Sequence, residues 1–190
     1  MVNKLTILQV LEPFLSKPKE KLHLSEISRA IGTPHPTVRQ WLNIMEKKGV
    51  LKKGFKGRLT LYSLNTENKS IINYLAIAEK NNLIKRCEQS LILKELTDFI
   101  QFELKENTKA LIFGSAAETF DKAEDVDMII IGKMDEKKIT SISKHINKEI
   151  HLINVSSLEK ISRSLKEEII KKHLIISGDE EIIRWMIWQQ

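Results

Sequence analysis

The chain has 190 residues, of which 42% are hydrophobic and 29% charged, the balance of a soluble globular protein with one large or two small domains. No apolar run is long enough to cross a bilayer, and the first residues lack the apolar stretch and cleavage site of a secretory signal. The single cysteine, Cys87, excludes an internal disulfide, so we expect a cytoplasmic protein with no membrane partner.

The charge is unevenly distributed along the chain. Residues 1–65 hold 12 Lys and Arg against 4 Asp and Glu, whereas the remainder holds 19 against 21. The net charge of +6 therefore arises in the first third of the sequence. A basic surface in that third predicts an anionic partner.

The first third has the pattern of three helices followed by a hairpin. Apolar residues at helical spacing predict a first helix over residues 3–15, bent or ended near Pro13. Ser25 is the expected N-cap of a second helix, which Gly32 closes. A third helix is predicted over residues 36–48, opened by Thr33 or Pro34.

A hairpin is predicted directly after the third helix. Alternating apolar residues predict strands over 50–53 and 58–64, joined by a turn at Gly54-Phe55-Lys56-Gly57. Helices, a Gly-containing turn, a longer helix and a hairpin are helix-turn-helix organisation with a wing. Residues 1–65 therefore resemble a winged helix-turn-helix domain, including the Glu-Lys-Lys-Gly-Val-Leu sequence before the wing.

This resemblance implies binding to double-stranded DNA, with the third helix in the major groove and the hairpin tip at the backbone or minor groove. Arg39 and Gln40 are types that form paired hydrogen bonds with guanine and adenine. The expected contacts are Thr33, His35, Thr37, Arg39, Gln40 and Asn43 on the helix and the turn before it, and Lys52, Lys53, Lys56 and Arg58 on the hairpin. The alternative is a module that binds only protein; we favour DNA because the charge bias falls on the two contacting elements.

Residues 66–106 are rich in Leu, Ile, Lys, Glu and Asn and lack Pro and Gly. They predict a helical connector of two helices, interrupted near Asn81-Asn82. Two interpretations of its apolar positions stay open: contact with a second copy in a homodimer, or packing against its own neighbours. The heptads are too irregular to indicate a coiled coil.

The last third is organised around two apolar runs. Leu111 to Phe113 ends in Gly114-Ser115, and residues 128–131 follow Asp125-Val126-Asp127. These runs predict a strand, a turn with a short helix, and a second strand on which the two aspartates share one face while Val126 and Met128 face the core. Paired carboxylates favour a hard divalent cation, and a Gly-Ser pair at a helix start favours phosphate.

This pattern resembles the polymerase-beta-type nucleotidyltransferase superfamily, most closely its minimal branch. The resemblance implies that Gly114 and Ser115 hold the triphosphate of a nucleoside triphosphate and that Asp125 and Asp127 bind Mg²⁺ or Mn²⁺. It further implies transfer of a nucleotidyl group to an acceptor hydroxyl, for which a partner protein is one candidate. The catalytic residues would be Asp125, Asp127 and a third carboxylate on the next strand.

The third carboxylate leaves two outcomes open. The matching position, on a strand predicted over residues 148–155, is His151, and imidazole is a poor Mg²⁺ ligand. Glu149 shares its face and has a longer arm than aspartate. Either the domain is a transferase that uses Glu149, or it is a catalytically inactive domain of a transcriptional regulator that senses nucleotide or dimerises.

Three further helices complete the prediction, over residues 135–146, from a Ser156 or Ser157 cap to about 172, and over 179–188. The sequence therefore predicts an α+β protein. Residues 1–65 form a winged helix-turn-helix domain, 66–106 a helical connector, and 107–190 a nucleotidyltransferase-like domain with a small mixed sheet flanked by helices.

Overall fold

Two small β-sheets with surrounding helices make up residues 6–189, the part of the chain that the computed structural model describes. The mixed α+β class is therefore confirmed. The first sheet has the order β1-β3-β2 and is antiparallel, with β1 at Leu22–His23, β2 at Leu51–Lys56 and β3 at Leu59–Leu64. The second has the order β6-β5-β4-β7, with β4 at Lys109–Phe113, β5 at Asp125–Ile131, β6 at Glu149–Val155 and β7 at His173–Ser177.

The described part of the chain begins with two short helical pieces where one helix was predicted. A 3-10 helix covers Thr6–Leu11, and α1 covers Glu12–Ser16; residues 3–5 of the prediction lie outside the described part. Pro13 stands in the first turn of α1, where its missing N–H costs no helical hydrogen bond. Pro13 therefore starts the second piece, and the prediction that it ends or bends one helix was incomplete.

Helix α2 (Leu24–Ala30) is capped by His23, so the predicted cap at Ser25 was wrong. The Ser25 N–H donates to His23 Nδ1 at 3.2 Å, and the His23 N–H donates to Glu26 Oε2 at 2.7 Å. An imidazole nitrogen thus performs the reciprocal capping that a Ser or Thr hydroxyl usually performs. The predicted third helix is present as α3 (His35–Lys47), with Val38, Trp41, Leu42 and Met45 buried as expected.

The hairpin is longer and its turn tighter than predicted. Gly54 lies inside β2 opposite Leu61, and the ladder continues to Lys56 and Leu59. The turn is therefore only Gly57-Arg58, and the predicted turn over residues 54–57 was wrong. Gly57 has φ +60, the conformation that a two-residue hairpin turn with Gly in first place requires.

The connector consists of α4 (Ile71–Gln89) and α5 (Leu91–Glu103). The break lies at Ser90, whose Oγ accepts the Leu93 N–H at 3.2 Å, so the predicted break near residues 81–82 was wrong. An Asn inside a long helix costs only a fraction of a kcal/mol, roughly 0.5, and is no barrier to the helix continuing.

Helix α4 packs against both ends of its own chain. One apolar cluster includes Phe14 of α1, Ile72 of α4 and Ile183 of α9 (Asp179–Trp188). The buried Glu79 of α4 accepts the Ile175 N–H of β7 at 3.0 Å. The connector therefore packs against its own neighbours, one of the two interpretations, while contact with a second copy in a homodimer stays a prediction.

The remaining elements flank the four-stranded sheet. They are α6 (Gly114–Glu118), a 3-10 helix at Phe120–Lys122, α7 (Glu136–Ile146), a 3-10 helix at Leu158–Lys160 and α8 (Arg163–Lys171). The helix predicted from Ser156 or Ser157 to residue 172 is in fact two pieces, because Ser162 caps α8 separately by accepting the Leu165 N–H. Strand β7 was not predicted. Within residues 6–189, none of the helices has both the length and the apolar composition needed to cross a bilayer.

Candidate functional site

The turn after β4 brings Gly114 against one of the paired aspartates. Strands β4 and β5 are antiparallel with Phe113 opposite Asp127, so the next residue, Gly114, lies beside the Asp127 carboxylate. Gly114 has φ +71, and a Cβ added to it would lie 3.0 Å from Asp127 Oδ2. The turn therefore requires glycine both for its backbone conformation and for the close approach.

The two aspartates share one face of β5, as their spacing predicts. Both side chains are partly exposed, while Val126 and Met128 between and beyond them are fully buried. Further along the strand the aspartate face is also covered, because Ile129 and Ile131 belong to the apolar cluster that includes α4 and α9. The carboxylates thus lie at the open end of an otherwise buried strand.

His151 is in contact with both aspartates. Strand β6 runs parallel to β5, with Glu149 opposite Asp125 and His151 opposite Asp127. His151 Nδ1 lies 3.4 Å from Asp125 Oδ2 and 3.5 Å from Asp127 Oδ1. The imidazole therefore lies within 3.5 Å of a carboxylate oxygen of each aspartate.

Glu149 contacts the imidazole at its other nitrogen. Its Oε1 lies 3.4 Å from His151 Nε2, and its side chain is 77% exposed. The structure therefore brings all three predicted carboxylates to one side of the sheet, but His151 lies between Glu149 and the aspartates. The resemblance matched His151 to the position beside the pair, but its contact with both aspartates depends on the parallel register of β5 and β6, which was not predicted.

The donor set at the aspartates fits a hard cation only in part. Within residues 6–189, no group of three or more His, Cys, Asp and Glu side chains is arranged to hold a metal ion. Two carboxylates are nevertheless the protein ligands that Mg²⁺ often takes, with water and phosphate oxygens completing its coordination. The pair therefore suits a cation that arrives with a phosphorylated ligand.

Of the two predicted phosphate-binding residues, Ser115 has an accessible hydrogen-bond donor, whereas the Gly114 N–H is already hydrogen-bonded. Ser115 is exposed in the first turn of α6, so its hydroxyl is accessible. The Gly114 N–H instead donates to Lys172 O at 3.2 Å. Lys172 Nζ in turn pairs with Glu118 Oε2 of α6 at 2.7 Å. Lys172 was not among the predicted site residues, because β7, the strand that begins directly after Lys172, was not predicted.

The predicted DNA-contacting residues of α3 lie away from its buried stripe. His35, Arg39 and Gln40 are exposed, and Thr37 and Asn43 are partly buried. Thr33, in the turn before the helix, donates its hydroxyl to Ile31 O at 3.2 Å.

The hairpin cations are also exposed, but one of them is paired. Lys53, Lys56 and Arg58 all face solvent. Lys52 Nζ lies 2.7 Å from Glu67 Oε1, and this hydrogen bond lowers the pKa of Glu67. Lys52 is therefore partly neutralised by its neighbour.

Tyr62 connects α3 with the hairpin. Burial raises the pKa of the Tyr62 phenol above its usual range, the Glu46 carboxylate adds to that, and the Arg39 cation opposes it. In the ladder, Tyr62 is opposite Lys53, and directly opposed residues point to the same side. We term five exposed side chains on these two elements the basic face, in which Lys53 and Lys56 point to opposite sides of the ribbon: Arg39, Gln40, Lys53, Lys56 and Arg58.

The chain also contains a roomy cavity apart from both sites. It has a volume of about 810 Å³ and lies between Lys19 and the α8 and α9 helices, next to Trp185. None of the predicted site residues lines it. The cavity is therefore separate from the paired carboxylates and from the basic face.

Comparison with known proteins supports a distant relationship to a class of regulators. Over 158 residues, the chain is 20% identical to the uncharacterized HTH-type transcriptional regulator YdhC of Bacillus subtilis (strain 168). That similarity covers 83% of this chain and 69% of the relative. No protein-family model matches the chain, and no solved structure matches it.

Proposed function

We propose that the protein is a DNA-binding transcriptional regulator whose residues 1–65 form a winged helix-turn-helix domain. The observation that carries this proposal is the basic face, whose side chains are exposed on both α3 and the hairpin that follows it. The similarity to an HTH-type transcriptional regulator supports the same conclusion.

The division of roles follows from side-chain chemistry. In the proposed complex, α3 enters the major groove, where Arg39 and Gln40 form paired hydrogen bonds with base edges. Lys53, Lys56 and Arg58 contact phosphates of the backbone. Lys52 contributes less, because binding phosphate would require it to leave Glu67.

Salt titration of duplex binding tests this proposal. Affinity for a mixed-sequence duplex should fall steeply with salt, and Lys53→Ala and Lys56→Ala should each reduce the log–log slope by about 0.9. Lys105→Ala removes an exposed cation outside the basic face and serves as the control. Absence of duplex binding at any salt concentration would favour the competing function, a module that binds protein only.

For residues 107–190 we propose binding of a nucleoside triphosphate together with Mg²⁺ or Mn²⁺. Asp125 and Asp127 would hold the cation, which when bound would neutralise phosphate charge. Ser115 would donate its hydroxyl to a phosphate oxygen. Gly114 supports the proposal because its missing side chain keeps the space beside the Asp127 carboxylate open.

We further propose that this domain senses nucleotide and does not transfer it. Two-metal transfer needs a third carboxylate near the pair, and here Glu149 contacts the far nitrogen of His151. The competing function, transfer to an acceptor hydroxyl of a partner protein, would require His151 to move aside.

Labelled nucleotides separate the two functions of the domain. Equilibrium dialysis with labelled nucleoside triphosphates and Mn²⁺ should show binding that Asp127→Asn abolishes. Incubation of the same mixture with cell extract should leave no label attached to protein. Label transfer that depends on Asp127 would contradict sensing and establish the transferase.

A further inference from the structure

The tip of the hairpin exposes two large apolar side chains. Phe55 is 73% exposed and Leu59 is 52% exposed. Phe55 lies two residues before the Gly57-Arg58 turn, and Leu59 follows the turn directly. Burying a phenylalanine side chain on binding is favourable, so a phenylalanine held in water at the end of a projecting ribbon is a candidate contact.

The ladder places these side chains on opposite faces of the ribbon. Phe55 is opposite Thr60, and Lys56 is opposite Leu59. Directly opposed residues share a face and successive residues alternate, so Phe55 and Leu59 point in opposite directions. Phe55 shares its face with Lys53, whose Nζ lies 6.0 Å from the ring centroid.

Cations surround this apolar tip. Residues 53–64 contain Lys53, Lys56 and Arg58 and no acidic residue. An apolar pocket on a protein partner would account for Phe55 and Leu59 but not for the positive charge of the side chains around them. A nucleic-acid groove offers both features, because its phosphate walls are anionic while its sugars and base steps are apolar.

We propose that Phe55 enters the minor groove of bound duplex and packs against a base step, while Lys56 and Arg58 contact the flanking phosphates. This inference rests on the proposed DNA binding, for which the hairpin tip is expected at the backbone or minor groove; its new element is Phe55 as an apolar wedge. Apolar wedges that enter the minor groove unstack a base step and bend the duplex, by roughly 20–90° in known cases. Phe55 lies on the face of the ribbon shared with Lys53 and Tyr62, the face opposite to that of Lys56 and Leu59.

The test measures affinity, salt dependence and bending together. Phe55→Ala should weaken binding to a mixed-sequence duplex about tenfold, as loss of one aromatic–base contact does. Its salt slope should stay unchanged because no phosphate contact is lost. Energy transfer between dyes at the two duplex ends should show a smaller bend for Phe55→Ala than for the unchanged protein, and Phe55→Leu should retain the bend.

Matched variants keep the result interpretable. Phe102→Ala removes a phenylalanine that is 86% exposed at the end of α5, and it should leave affinity and bend unchanged. Lys56→Ala should reduce the salt slope by about 0.9 while the bend remains. Because Phe55 is mostly exposed, thermal unfolding of Phe55→Ala should match that of the unchanged protein; if it does not, Phe55→Gln replaces it.

Two results would overturn the inference, and they differ from a failure of DNA binding. If Phe55→Ala binds with unchanged affinity, or bends the duplex as the unchanged protein does, the wedge is wrong although DNA binding stands. If the unchanged protein binds no duplex, the proposed function itself is wrong and the inference fails with it.

Discussion

Lys52 and Glu67 form an ion pair beside the hairpin, with Nζ 2.7 Å from Oε1. The pair withdraws one of the four hairpin cations from the surface that we propose contacts DNA. Glu67 is fully exposed, and the hydrogen bond from Lys52 lowers its pKa. Glu67 therefore acts as a local competitor of phosphate for Lys52.

Removing that competitor should strengthen DNA binding. We expect Glu67→Gln to increase affinity for a mixed-sequence duplex and to steepen the salt slope by about 0.9, because Lys52 becomes available to one more phosphate. Fluorescence anisotropy at several salt concentrations measures both quantities. Glu106→Gln removes an exposed carboxylate outside the hairpin and is the control. Equal slopes for the Glu67 variant and the unchanged protein would show that Lys52 does not reach the duplex.

Gly114→Ala should destabilise the fold and disturb Asp127. The added Cβ would lie 3.0 Å from Asp127 Oδ2, at a backbone φ of +71 that alanine rarely adopts. We expect a loss of about 1–3 kcal/mol in the free energy of unfolding, measured by urea titration. Gly54→Ala is the matched control, since a Cβ there meets nothing within 4 Å. A Gly114 variant as stable as the Gly54 variant would contradict the close approach.

His151→Asp should convert the aspartate pair into a set of three carboxylates. Without metal, mutual repulsion should lower the thermal unfolding midpoint; with Mn²⁺, affinity should rise about tenfold because a charged oxygen ligand is added. Electron paramagnetic resonance of free Mn²⁺ measures the binding. His35→Asp, a substitution of an exposed histidine on α3, should leave Mn²⁺ affinity unchanged. Unchanged Mn²⁺ affinity in the His151 variant would show that a side chain at position 151 does not reach a cation held by Asp125 and Asp127.

Glu79 gives the fold a pH dependence with a defined sign. Burial raises the pKa of this carboxyl above its ordinary value of 4.5; His173 and the Ile175 N–H oppose the rise, while Asp179 and Glu12 add to it. A carboxyl with a raised pKa in the folded state binds its proton more tightly there than in the unfolded chain. Its stabilising contribution is therefore complete below pH 4.5 and declines as the pH rises through the folded-state pKa.

Glu79→Gln should remove this decline. The amide oxygen can still accept the Ile175 N–H, and glutamine does not ionise. We expect the free energy of unfolding of the variant to vary less with pH above 4.5 than that of the unchanged protein, measured by urea titration across the pH range. The same pH slope in both proteins would mean that the Glu79 pKa is not raised.

The sequence was sufficient wherever side-chain periodicity carried the information. The apolar stripe of α3 predicted its buried face, and the period of two along β5 predicted that Asp125 and Asp127 share a side. Two helix caps were not predicted. His23 replaces a hydroxyl as N-cap, and Ser90 interrupts the connector by capping α5, both through hydrogen bonds that the sequence does not specify uniquely.

Long-range pairing accounts for what was missed at the site. The contact of His151 with the aspartates depends on the parallel register between β5 and β6. Strand β7 is a five-residue segment between two helices, too short for its apolar run to distinguish strand from helix. Its pairing with β4 is what brings Lys172 O to the Gly114 N–H.

Selection from a pool of randomised duplexes tests the central claim, that α3 and the hairpin recognise DNA as those of a transcriptional regulator. We expect the full chain to enrich a shared sequence over the starting pool, because Arg39 and Gln40 form hydrogen bonds with particular base edges. Arg39→Ala should lose the preference at one position and keep it at the others. Recovery of the starting pool without enrichment of any sequence would contradict the claim.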